Sequence, residues 1–202
     1  MSSLIIVKAG SGQDGSKIKG CSNMSGSNEC AVQAIRFKDD GTFPNNQDLP
    51  LIIYDQVFPP EDDGLVPLER IWTVIEAHHW GNAWTNGIYT YHHYHSTAHE
   101  VLIVCQGDVT VQFGGPQGEQ QMLQTGDAVV IPAGVAHKKV QAAHNFSIVG
   151  AYPQGQIYDM CYGKSDERPK ADRNIKAVPI PAEDPIYGLQ GPLSRYWKIR
   201  QP

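Results

Sequence analysis

Residues Gly87–Gly107 read GIYTYHHYHSTAHEVLIVCQG, and a second stretch, Gly126–His137, reads GDAVVIPAGVAH. Side chains in a β-strand alternate faces, so His93 and His95, two apart, present both imidazoles to one side as a chelating pair. Glu100 follows a short Ser96–His99 connection at the head of an apolar run. A hairpin there brings its carboxylate back toward the same point. In the second stretch an apolar strand ends in the turn Pro132-Ala133-Gly134, and His137 opens the next strand as a third imidazole. Three imidazoles and a carboxylate suit one divalent first-row metal, with Fe, Mn, Ni, Co and Zn all compatible. At a six-coordinate centre these four ligands leave two positions open, which is what catalysis requires.

The first stretch resembles the first motif of the cupin family, G-x5-H-x-H-x4-E-x6-G, with Gly87, His93, His95, Glu100 and Gly107 in register. The second resembles the second motif, G-x5-P-x-G-x2-H-x3-N, through Gly126, Pro132, Gly134 and His137. It departs only at the end, where Gln141 stands for Asn, a position that is not usually a ligand. The wider runs DDGTFPNN, NGIYTYHHYHSTAHEVL and GAYPQGQ are similar to the YjlB-like group of small single-domain cupins, from about Ala31 to Tyr162. The resemblance implies a metal-binding jelly-roll barrel that assembles as a homodimer. It also implies a small-molecule ligand or substrate.

Other residues of the two stretches invite roles. Tyr89 and Tyr91 share the parity of His93 and should line the barrel interior, where a phenol can donate a proton or hold a substrate oxygen. His92 has the opposite parity and should point away from the metal. His99 could orient a ligand, shuttle protons or cap the turn before Glu100. Lys139 and Gln141 share the parity of His137; on a regular strand they face the cavity and favour a polar, anionic ligand, although Lys139 could equally snorkel out at the barrel mouth. Cys105 and Cys161 have no activating base in the pattern and read as small buried apolar residues.

The 202 residues suffice for one domain with a substantial core, and 41% hydrophobic with 18% charged residues is a globular composition. A formal charge of −5 with no basic block argues against nucleic acid as a partner. The apolar runs fall short of a membrane span. Four cysteines are too sparse for a disulfide scaffold, and a reducing, cytoplasmic location is the simplest reading.

Twelve of the first thirty residues are Ser or Gly, so 1–30 reads as a flexible extension, with a targeting segment or a misplaced start as alternatives. Residues 31–162 form a single cupin domain. Within it a helix is expected over 66–80: Asp62 and Asp63 precede it, Pro67 suits a first turn, and Leu68, Ile71, Trp72, Ile75 and His79 fall on one side. His78 and His79 beside that stripe read as packing or surface residues. Strands are expected from Ala31 and at Leu51–Tyr54. Further strands are expected at Val109–Phe113, Gln120–Gln124, Asp127–Ile131, Lys138–Gln141 and Phe146–Tyr152, the signature of an antiparallel all-β sandwich or barrel. The tail, 163–202, carries Pro169, Pro179, Pro181, Pro185, Pro192 and Pro202. A long regular element is not expected there, and the tail should wrap the barrel or a partner subunit.

Two classes of function follow. One is a metal-dependent enzyme that chelates a small oxygenated molecule, as a dioxygenase at a redox metal or as an isomerase or lyase with a proton-transfer group such as His99 or a tyrosine. The other is a non-catalytic binding or sensing module, or more remotely a structural dimer, because fold alone does not fix function.

Overall fold

Leu51–Tyr54, Val101–Cys105 and Ala128–Ile131 are apolar without interruption, a pattern strands show where both faces are covered. The computed structural model, which describes residues 18–20 and 31–197, shows what covers them. Strands β1 (Ile18–Gly20), β2 (Val32–Ile35), β3 (Leu51–Tyr54), β4 (Trp80–Asn86), β5 (Glu100–Gln106), β8 (Ala128–Ile131) and β10 (Ser147–Pro153) form one antiparallel sheet in the order β1-β2-β3-β8-β5-β10-β4. Strands β6 (Asp108–Phe113), β7 (Glu119–Gln124) and β9 (His137–Ala142) form a second, in the order β7-β6-β9.

The larger sheet sorts its side chains by strict alternation. Leu51, Ile53, Leu102, Val104, Val129, Ile131 and Ile148 face inward and meet Val109, Val111, Phe113 and Leu123 of the smaller sheet. Ile52, Tyr54, Val101, Ile103, Val130, Val149 and Ala151 face outward into a second core. Two sheets packed face to face with polar residues on the smaller sheet's outer surface make the jelly-roll sandwich that the strand spacing implies.

The outer core is closed by helix α1 (Leu68–Ala77) and by the tail. Ile71 and Ile75, one turn apart, are fully buried there. The helix is shorter than the expected 66–80: Pro67 has extended ψ at the cap, and His79 at φ 61° turns the chain into β4 at Trp80. Trp72, expected on the buried side, is 36% exposed. His78 bonds the Pro185 carbonyl through Nδ1 at 2.9 Å and His79 lies 3.4 Å from Glu183, so both serve contacts with the tail. The tail itself forms two further short helices, α2 (Lys170–Ala177) and α3 (Pro192–Tyr196). Of the expected N-terminal extension, Ile18–Gly20 pairs with Val32–Ala34; the rest lies outside the described residues. Among the described residues no helix is long and apolar enough to cross a membrane.

Asp184 fastens the tail to the sheet. Its carboxylate is 1% exposed and accepts from Tyr54 Oη at 2.7 Å and from the backbone N–H groups of Ile186, Tyr187 and Leu193. Trp197 then buries its indole and donates to the Pro50 carbonyl at 2.8 Å. Asp184→Ala removes the acceptor of four hydrogen bonds and is expected to lower folding stability by about 3 kcal/mol, with Asp184→Asn costing less. Urea unfolding of the two variants checks this; equal stability of Asp184→Ala and wild type would show that the tail is not fastened there.

Candidate metal centre

Beyond β4 the chain from Gly87 to His99 is extended but not laddered, and two isolated bridges hold it in place. His93 and His137 exchange backbone hydrogen bonds of 3.2 and 2.9 Å, and Tyr94 and Cys161 exchange bonds of 2.9 and 3.0 Å. His95 also accepts from the Gly134 N–H at 2.8 Å. The expected strand is thus reduced to bridges, yet alternation survives over these three residues. Tyr94 packs on Phe43 on one side, while His93 and His95 turn to the other and meet His137. The three rings are buried, with ligand nitrogens all within 4.8 Å of one another. Glu100 opens β5 with the parity of Leu102, so its carboxylate enters the same space, 3.4 Å from His137 Nε2 and 3.7 Å from His95 Nε2.

Each ring is held by a backbone carbonyl at Nδ1: Tyr91 for His93 at 3.2 Å, Asp159 for His95 at 2.6 Å and Val135 for His137 at 3.2 Å. A carbonyl can only accept, so a proton sits on Nδ1 of each ring, and in the neutral ring Nε2 offers its lone pair. Burial and the neighbouring His93 depress His137 to about 3, and burial likewise lowers His93. For Glu100 burial works upward but is outweighed by His95, His137 and Tyr152, which hold it at about 2. His95 shows the converse: burial lowers it, and Glu100 more than reverses this. Lone pairs converging on a buried carboxylate repel unless a cation lies among them. Glu100 Oε1 is engaged by the Tyr152 hydroxyl at 2.7 Å, while Oε2 has no hydrogen-bond partner among the described residues. This donor set fits a divalent ion.

The centre forms the floor of a cavity of 390 Å³, within the range of small-molecule sites. Tyr89 lines it; Tyr91, expected beside it, does not. Tyr91, 45% exposed, stacks on Tyr89 at 4.9 Å and lies 5.9 Å from the His93 ring, on the same side as both but beyond the lining. Lys139 lines the cavity and Gln141 is exposed outside it. The cause is a bulge: Lys139 faces Val111 but Gln141 faces Thr110, leaving Val140 unpaired, so parity reverses between them. His92 packs on Phe43 at 5.4 Å, away from the cluster. His99 faces the outer core, where its ring lies 4.6 Å from Trp197 and its Nδ1 accepts from Ala133 N–H at 2.9 Å. It braces the turn that carries His137 and lies outside the cavity wall.

Three side chains of the site carry no signal in the two motif stretches. Tyr152, on β10, links Trp84 to Glu100: the indole donates to the phenol oxygen at 2.9 Å, and the phenol donates to the carboxylate. Tyr158 stacks on Tyr152 at 4.5 Å and lies tilted against His95 at 4.5 Å. A signal existed in Gly150, since a glycine inside a strand marks close approach. A Cβ there would lie 2.2 Å from the Trp84 indole, which packs over the strand and points at Tyr152.

The cupin domain family matches residues 84–143. The uncharacterized protein YjlB of Bacillus subtilis (strain 168) is 46% identical over 169 residues, 84% of this chain and 98% of the relative. Among solved structures, an acireductone dioxygenase from Bacillus anthracis with cadmium in its active centre overlaps 52% of this chain and 73% of its own at 14% identity and a TM-score of 0.33. Tomato vicilin overlaps 68% of this chain and 30% of its own at 15% identity, also at a TM-score of 0.33. Both structural overlaps are distant.

Tyr152→Phe removes the hydroxyl that aims Glu100 and is expected to weaken metal affinity about 10-fold or more, read by competition with a chromogenic chelator. An unchanged affinity would show that Glu100 needs no such support. His99, depressed to about 3 by burial, gives a pH signature in the metal-free protein. Its folded pKa lies below the unfolded value of about 6.5, so the unfolded chain binds the extra proton between the two, and stability falls as pH drops through that window. His99→Asn should reduce the slope of urea-unfolding free energy between about pH 6 and 4 by up to about 1.4 kcal/mol per pH unit. An unaltered slope would mean that His99 titrates normally.

Proposed function

The chain belongs to the cupin family, in the group of Bacillus subtilis YjlB, and from that premise we propose that it is a metal-dependent enzyme acting on a small oxygenated molecule. One observation carries the reading: three imidazole lone pairs and an unpartnered buried carboxylate oxygen converge at the floor of a solvent-reaching cavity. His93, His95, His137 and Glu100 would hold one divalent ion, Fe, Mn, Ni, Co or Zn. Such an ion supplies Lewis acidity and, where redox-active, one-electron chemistry with dioxygen.

The chain's own groups favour the dioxygenase branch over the isomerase or lyase branch. Proton-transfer chemistry needs an acid or base in contact with the ligand. His99 points into the outer core, and the Tyr152 hydroxyl is committed to Glu100, its ionisation suppressed by burial and by that carboxylate. Tyr91 lies outside the lining, which leaves Tyr89 of the three groups expected to transfer protons, with Lys139 and Tyr158 also in the wall. The same shortage favours, as a second reading, a barrel that binds a small molecule without turning it over. The proposal includes a homodimer in the cytoplasm, where the buried free thiols Cys105 and Cys161 would stay reduced.

Elemental analysis of protein purified without chelator or affinity metal, beside His93→Ala, tests the reading. Near-stoichiometric metal in the wild type and none in a folded variant is expected, followed by oxygen uptake with a redox metal and a suitable substrate. Absence of metal in the wild type, before and after reconstitution, would sink the metal-dependent reading and leave the binding module.

A further inference from the structure

Among the described residues Lys139 is the single cationic side chain in the wall of the cavity, and Glu100, turned to the imidazoles and Tyr152, is the single carboxylate. Its backbone is pinned where it enters the wall, because Lys139 N–H donates to the Tyr89 carbonyl at 2.8 Å and the bulge after it turns the following residues outward. Its ammonium has no hydrogen-bond or ion-pair partner among the described residues. Arg168, by contrast, is engaged by Asp39 and Asp172, Arg36 by the carbonyls of Gln47 and Asp48, and Lys164 by the face of Tyr162. A half-buried lysine in a cavity wall, with no counter-ion of its own, is a group that can take one from the ligand.

We propose that the cavity takes a small organic acid whose carboxylate pairs with Lys139 while its body lies against Ile88, Leu102 and the Tyr152–Tyr158 stack. The proposal rests on the metal-centre reading for the net charge of the cavity and for what the far end of the ligand faces, whereas the pairing with Lys139 does not depend on it. Charge points the same way. A divalent ion with Glu100 leaves one net positive charge, and Lys139 adds a second, so an anion is drawn in and a cation repelled. A carboxylate suits the wall better than a phosphate, which draws several donors such as arginines or a helix N-terminus, none of which lines this cavity. Apart from Thr85 and Asn86 the remaining wall is mainly aromatic and aliphatic, which suits a compact apolar body.

Calorimetric titration with benzoate, benzamide and inorganic phosphate tests this on the full chain, metal-free and zinc-loaded, with metal content measured on the same samples. Benzoate is expected to bind at least about tenfold tighter than its neutral isostere benzamide, and tighter than phosphate. Lys139→Met should bring benzoate and benzamide within about twofold of each other while leaving zinc stoichiometry and the unfolding midpoint unchanged. Equal affinity for benzoate and benzamide in the wild type, no binding of either, phosphate binding more tightly, or an undiminished benzoate preference in Lys139→Met would each overturn the proposal. Failure of the zinc reading leaves a separate mark, because zinc absent from the wild type says nothing about the benzoate preference of the metal-free chain.

Discussion

Two backbone hydrogen bonds between His93 and His137 tie the site together. The residues are 44 apart in sequence, and their reciprocal N–H to C=O pairing fixes both imidazoles at a ring-centroid distance of 4.2 Å. The His93 segment is not part of a ladder, while His137 opens β9 opposite Phe113, so the pair also depends on what holds the Pro132–Ala136 turn just before it. Three buried side chains do so. His99 accepts from Ala133 N–H, Asn46 donates to the Ala133 carbonyl, and Asn45 accepts from Ala136 N–H. Gly134 supplies the remaining freedom at φ 92°, with a Cβ there only 2.5 Å from the Asn45 carbonyl oxygen. A buried turn whose backbone groups are satisfied by side chains has few alternative conformations of comparable energy. Rigidity of the centre is therefore set outside the centre.

That arrangement accounts for which parts of the protein were legible in the sequence. Parity arguments held wherever the strand or bridge was regular: Glu100 with Leu102, His93 with His95, and His92 turned away onto Phe43. They failed at one local irregularity, the bulge at Val140, because one extra residue reverses every later side chain. Gln141 was misplaced for that reason, while Lys139, on the near side of the bulge, lines the wall with Tyr89; Tyr91 keeps the side of His93 but lies beyond the lining. Strand β4, WGNAWTN, could not be read, since an edge strand with the burial pattern seen here has no apolar alternation to detect. Tyr152 and Tyr158 come from β10 and the loop after it, and nothing in local spacing connects them with His95. Only a glycine in a strand hinted that an indole lies close.

The cavity combines two electrostatic regimes. At its floor, burial strips water from three imidazoles and a carboxylate and keeps His93 and His137 unprotonated, the state in which they can act as ligands. Toward its mouth, Tyr89 is half exposed and Lys139 half buried, so charge there is solvated enough to exist yet unshielded enough to select. Tyr152 and Tyr158 separate the two. Their stack covers His95 on one side, and the Tyr152 hydroxyl takes one carboxylate oxygen so that the other remains free. An aromatic pair with a single donor aimed inward thus excludes water and fixes the orientation of Glu100 at once.

The proline-rich tail belongs to the same construction. A sheet whose central strands are apolar on both faces is stable only when both are covered, and on the outer face the cover is α1 together with Ile186, Leu193 and Trp197. Trp197 lies against His99, and His99 holds the turn that presents His137. His99 is uncharged in that position because the indole and the sheet exclude water, and an uncharged imidazole can keep accepting from Ala133 at Nδ1. Opening the tail would hydrate His99, permit it to protonate, and remove the acceptor on which the Ala133 N–H depends. The metal-type ligands on the inner face and the tail on the outer face are thus two ends of one contiguous set of contacts through the sheet, and the tail contributes to the shape of a site it never touches.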